Sequence, residues 1–166
     1  NVLKVAKART SEVPEHLGEK ERKRIEITLE AQFAWKNPYE ALNSWVKSLE
    51  KLGILIFQIH FPLEEARGFS LTRKMFPAIV LNAKDYITAK IFTLFHEYTH
   101  LVLNNEGICD LRDFNGISEQ VKLIEQYCNH VSGAILVPRN ALLDNEQVLT
   151  VQSWAGVSDE ALKKIA

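Results

Sequence analysis

Between Asp85 and Leu103 the chain carries Ile87, Ile91, Phe92, Leu94, Phe95, Tyr98, Leu101 and Val102, at spacings that cover most of a helix circumference. A helix apolar nearly all round cannot lie on a surface, so it is expected to be the buried centre around which everything else packs. Asp85 predicts its N-cap, and Asn104-Asn105-Glu106-Gly107 predicts its end. With 166 residues, the chain is long enough for one domain with a core around that helix and too short for two.

The flanking segments supply the partners. Asn37 can cap a helix, Pro38 suits its first position, and Glu40 three residues after the cap completes a capping box. Leu42, Trp45, Val46, Leu49 and Leu52 then recur at helical spacing until Gly53. The period changes at Ile54-Leu55-Ile56-Phe57-Gln58-Ile59, which reads as a mostly buried strand, and residues 68–71 and 78–81 read as two more. Three strands this close in sequence predict a small antiparallel sheet. After a polar loop, Val121, Ile124, Cys128, Val131 and Ile135 mark a second long helix beginning near Ser118 and stopped by Pro138. Residues 1–18 read as a polar lead-in punctuated by Pro14 and Gly18, residues 19–35 as loosely helical, and the tail as two short helical pieces, the second capped by Ser158. The expected organisation is a lead-in over residues 1–36 and one α+β domain over residues 37–166.

A formal net charge of -1 offers no electrostatic footprint for nucleic acid or an acidic membrane. No run reaches the ~18 apolar residues of a membrane span, and no signal-peptide pattern opens the chain. Two cysteines, Cys109 and Cys128, are too few for a disulfide framework, and thiols in a reducing compartment are expected. The predicted location is therefore the cytoplasm. A start at Asn1 rather than methionine suggests a piece of something longer, or a processed product.

The central helix contains His96-Glu97-Tyr98-Thr99-His100. Residues four apart share a helix face one turn apart, so both imidazoles can reach one ion. Zinc takes ligand nitrogens at ~2.0–2.1 Å, and two histidines on a rigid helix suit it. Glu97 lies ~100° round the helix from His96, off the ligand position but placed to take a proton from a metal-activated water. Ionisable groups in so apolar a helix are costly to bury without a function.

A catalytic zinc needs a third protein ligand. The candidates are Glu106, Asp110, Asp113, Glu119 and Glu125, with the thiols of Cys109 and Cys128. Glu125 is the best placed, because it lies on a second long helix able to pack across the first. Asn129, one turn on, shares its face and can orient a ligand from behind. Cys128 reads as a small packing residue, and Asp110 and Asp113 as turn residues. Tyr98 and Thr99 read as core, His16, His60 and His130 as bystanders, the tryptophans as packing, and Arg67 as a solvated turn residue that could also hold a substrate carboxylate.

The H-E-x-x-H helix, followed by Glu125-x-x-Cys128-Asn129 on a helix ending at Val137-Pro138, resembles the ImmA/IrrE metallopeptidase-like family. Its pattern is H-E-x-x-H, a loop, E-x-x-A-N-x-F-A and a stretch ending in proline. Arg67-Gly68-Phe69-Ser70 and Pro77-Ala78-Ile79-Val80-Leu81-Asn82 are similar to the strands before its catalytic helix, so the resemblance spans about residues 38 to 140. The resemblance implies a zincin-like fold, Zn2+ held by His96, His100 and Glu125, and Glu97 as general base. It also implies cleavage of a protein substrate, often a helix-turn-helix repressor. The chain departs from the pattern at Cys128, Val131 and Ser132, where the family more often has Ala, Phe and Ala.

Two other classes fit the same residues. One is a regulatory module that binds a partner and hydrolyses nothing; an intact Glu97 argues against it, since a binding site needs ligands but no base. The other is the sensor half of a transcription factor whose DNA-binding domain lies upstream. No helix-turn-helix is evident in these residues, so direct nucleic-acid contact is not expected of them.

Overall fold

Asn37 starts the element that orders the core. In the computed structural model, which describes residues 8–72, 76–103 and 119–144, its side chain accepts the Glu40 N–H at 3.0 Å. Glu40 reaches back to the Lys36 N–H at 3.0 Å, so the capping box closes one residue earlier than its usual form. The helix it opens, α3 (Pro38–Glu50), buries Leu42, Trp45 and Leu49. Gly53, at φ 89°, turns the chain where a Cβ would be strained.

Two helices precede it: α1 (Pro14–Arg24) and α2 (Leu29–Phe33). The pattern predicted one helix over residues 19–35. The structure breaks it at Ile25, which ends α1, and Glu26, which takes a left-handed φ of 56° without being glycine. Pro14 is the first residue of α1 rather than a linker residue. Gly18 lies mid-helix, where a Cβ would stand 2.6 Å from that of Ala134. Its role is close helix approach, not punctuation.

Strands β1 (Leu55–Ile59), β2 (Gly68–Leu71) and β3 (Ala78–Asn82) form one sheet in the order β1-β3-β2. The α+β class stands. The all-antiparallel pairing does not, because β1 runs parallel to β3 while β2 is antiparallel to it. The reason is topological: β2 folds back on β3 as an antiparallel pair, which places β3 between β1 and β2 and pointing the same way as β1. Nor is β1 mostly buried. Ile54 and Ile56 face the helices, while Leu55, Phe57 and Ile59 remain 44–49% exposed on the opposite face.

A short turn joins β3 to α4 (Ile87–Leu103), which packs against β2 and β3. Asp85 accepts the Tyr86 N–H at 2.9 Å and pairs with Arg67 at 3.0 Å, tying the start of β2 to the start of the helix. Arg67 is thus a strut. As its composition requires, α4 is buried along most of its length, with Leu94, Phe95 and Tyr98 fully covered.

Helix α5 (Glu119–Leu136) crosses α4 and also packs on α1; α6 (Arg139–Leu143) follows Pro138. The last carbonyls of α5 have no helical partners of their own. Arg22 donates to Ile135 O at 2.7 Å, and Gln32 to Leu136 O at 3.0 Å, so α1 and α2 close that end. Trp35, Trp45, Phe95 and Tyr98 run through the core as successive edge-to-face contacts, with the Arg22 guanidinium over the Trp45 ring. Among the described residues, no helix is long and apolar enough to cross a membrane. Of the two tail helices expected from the pattern, α6 is one; Glu106, Cys109, Asp110, Asp113, Trp154 and the piece capped by Ser158 lie outside the described residues.

Candidate metal centre

The helical spacing of His96 and His100 does what four residues of α-helix must do, and stacks their rings one turn apart, centroids 4.8 Å. Their Nε2 atoms stand 3.1 Å from each other. Helix α5 brings the third group. One Glu125 oxygen lies 3.0 Å from His96 Nε2 and the other 3.3 Å from His100 Nε2. These three side chains are the cluster, among the described residues, able to hold an ion.

The spacing is a test of fit. Ligands bound tetrahedrally at ~2.0–2.1 Å stand about 3.3 Å apart, which the 3.0–3.3 Å separations here approach. The donor set, two imidazoles and a carboxylate, suits zinc and several other divalent ions. One carboxylate against two bases also has an electrostatic signature. Hydrogen bonds first from His100 and then from His96 hold the Glu125 carboxyl far below the ordinary carboxylate range. For His96, burial pulls its pKa down, but the hydrogen bond with Glu125 and the charges of Glu97 and Glu125 outweigh burial and raise it.

The outer ring nitrogens are also engaged. His96 Nδ1 is 2.9 Å from Asn129 Oδ1, an acceptor for a ring proton on that nitrogen. His100 Nδ1 faces Cys128 Sγ at 3.7 Å. Glu125, Cys128 and Asn129 stand at i, i+3 and i+4, so one face of α5 brings all three to the two histidines.

Glu97 sits beside the cluster and takes no part in it; its residue is 9% exposed. Tyr98 and Thr99 point the other way. Thr99 bonds back to Phe95 O, and the Tyr98 hydroxyl bonds to the buried carboxylate of Glu21 on α1. His130 pairs with Glu15 at 2.8 Å, away from the centre, and His16 and His60 are exposed. Glu119, at the first turn of α5, is exposed and outside the cluster.

Two histidines one turn apart on a buried helix, a glutamate brought to both from a second helix, and an uncommitted glutamate beside them form the metal-and-base set that peptide hydrolysis uses. No curated protein and no solved structure matches the chain. The Peptidase_M78 family model, described as the IrrE N-terminal-like domain, matches residues 49–162. That span is more than half of the chain and takes in the sheet, α4 and α5. The chain therefore belongs to this peptidase family, the IrrE N-terminal-like domains.

Proposed function

We propose that the protein is a zinc-dependent endopeptidase that hydrolyses a peptide bond in a protein substrate, with a DNA-binding repressor of the helix-turn-helix type as that substrate. The observation that carries the hydrolytic reading is the convergence of His96 Nε2 and His100 Nε2, 3.1 Å apart, on Glu125, one oxygen of which is 3.0 Å from the first and the other 3.3 Å from the second, with Glu97 alongside. His96, His100 and Glu125 would hold the zinc, which when bound supplies a Lewis acid for the scissile carbonyl and a water whose pKa falls to ~7.

Glu97 accepts the proton of the attacking water on its carboxylate and returns it to the leaving amine. Its near-complete burial keeps bulk water from competing for that proton. Asn129 keeps the His96 ring oriented. The substrate chain adds to β2. Arg67 O accepts the Asn82 N–H, so Arg67, Phe69 and Leu71 turn their main-chain groups toward β3. Those of Gly68 and Ser70 point outward at the open edge. This is the edge against which α4 packs, with Gly68 set against Thr93 one turn before Glu97. An extended segment paired there runs beside the base. The repressor as substrate follows from the family resemblance, not from any surface of the protein.

Glu97→Gln is the test. It keeps the volume and hydrogen-bonding capacity of the side chain but removes the proton acceptor. Zinc content is expected to stay at the wild-type level, while cleavage of the repressor falls on the order of 100-fold or more. Release of the repressor's promoter should fail with it. An unchanged promoter response in Glu97→Gln would replace this reading with a module that acts by binding alone.

A further inference from the structure

The two histidines of the centre are alike toward the ion and unlike behind it. Each neutral imidazole carries one ring proton. For both Nε2 atoms to present lone pairs toward the same point, both protons must sit on Nδ1. For His96 the acceptor is an amide oxygen, Asn129 Oδ1, at 2.9 Å. For His100 the partner is a sulfur, Cys128 Sγ, at 3.7 Å. The surroundings make that partner matter. The His100 side chain is 8% exposed and Cys128 is 0% exposed, so bulk water does not reach this contact. A ring N–H buried without an acceptor forfeits its hydrogen bond.

We infer that Cys128 is a positioning residue of the metal centre: its sulfur accepts the Nδ1–H of His100 and holds that ring with Nε2 turned to the ion. The inference rests on the metal-site reading above and concerns the ion-binding step, not hydrolysis. A thiol can also act as a donor. With S–H directed at Nδ1, the ring proton moves to Nε2, which then donates to the Glu125 oxygen 3.3 Å away. The same contact therefore serves both the loaded and the metal-free ring, which an alanine in that place cannot do. Serine offers the same pair of roles as cysteine; alanine offers neither.

The comparison of Cys128→Ala with Cys128→Ser separates positioning from packing. Zinc dissociation constants, measured by competition with a chromophoric chelator, are expected to weaken 10–100-fold in Cys128→Ala, the range for losing a ligand's supporting hydrogen bond. They should return to within about threefold of wild type in Cys128→Ser. A residue that only fills space predicts no rescue by the more polar serine. In the zinc-loaded wild type, nitrogen-15 spectra of the imidazoles should show a His100 Nδ1 proton that exchanges slowly with water. This readout needs no variant to fold. Equal affinity in wild type and Cys128→Ala, a serine variant as weak as alanine, or a rapidly exchanging His100 ring proton overturns the inference alone. A wild type that takes up no zinc overturns the metal-site reading and this inference with it.

Discussion

Two glutamates reach the central helix from opposite sides, and their surroundings push their acidities in opposite directions. Glu21, from α1, is 1% exposed and meets the Tyr98 hydroxyl and Arg24. Burial pushes its pKa above the ordinary carboxylate value despite those partners. Glu125, from α5, is half-open to solvent, and its hydrogen bonds to His100 and His96 hold its carboxyl far below that value. Three residues separate the two histidines, Glu97, Tyr98 and Thr99, and the middle one is the partner of Glu21. The back of α4 is thus anchored by a group whose charge is disfavoured by burial, the front by a group whose charge is favoured by its partners. A carboxylate destined to bind a metal must stay charged and reachable; one that fastens helices needs neither.

If this division of labour is right, removing each group should damage a different property. The largest effect expected is on the front. Glu125→Ala should lower zinc affinity by 100-fold or more, as measured by chelator competition, with thermal stability of the metal-free protein modestly lowered by loss of its hydrogen bonds to His100 and His96. Loss of an ion that draws on all three ligands exceeds the 10–100-fold cost of losing a supporting bond. A variant that keeps wild-type affinity would remove the second helix from the site.

Tyr98→Phe makes the converse change one residue from Glu97. It leaves a buried carboxyl group short of its donor, a loss of about 1–3 kcal/mol in chemical denaturation, while zinc affinity should move by less than threefold. A large loss of affinity would show that the two sides of α4 are not separable.

The smallest effect is a slope. Because the folded-state pKa of Glu21 is raised, its contribution to stability is complete below the unfolded value of about 4.5 and is lost as pH rises through the folded pKa. Glu21→Gln removes that titration and keeps a polar partner for Tyr98. The difference in unfolding free energy between wild type and Glu21→Gln should therefore shift against wild type as pH rises from 4.5 toward neutrality. A difference independent of pH would mean that Glu21 is ionised in the fold without cost.

The front of the helix was readable from the sequence, and its back was not. His96, Glu97 and His100 declare themselves because four-residue spacing on one helix is a local property. Glu125 and Asn129 could be read because they too share one helix. Asn37, Pro38 and Gly53 act within a few residues of where they stand. The Glu21–Tyr98 bond joins residues 77 positions apart, and in a run of charged residues the sequence does not single out Glu21 from the exposed Lys20 and Lys23 beside it. Gly18 misled for the same reason, since the Ala134 it accommodates is remote in sequence. The parallel pairing of β1 with β3 depends on which strand inserts between the others, and strand composition does not encode that. Arg67 was legible as a turn residue; Asp85, expected as the cap of α4, stands one residue before the cap position, and its pairing with Arg67 needed the fold. Cys128 is the subtler case: its position was visible, and its partner on His100 was not.

The front of α4 has one defining property, that its convergent nitrogens and carboxylate can hold an ion. Metal analysis of the purified wild-type protein, beside His100→Ala prepared identically, measures it directly. About one zinc per chain in the wild type and almost none in His100→Ala is the expected result. Full zinc occupancy retained by His100→Ala, or a wild type that binds no divalent ion at neutral pH, would contradict it.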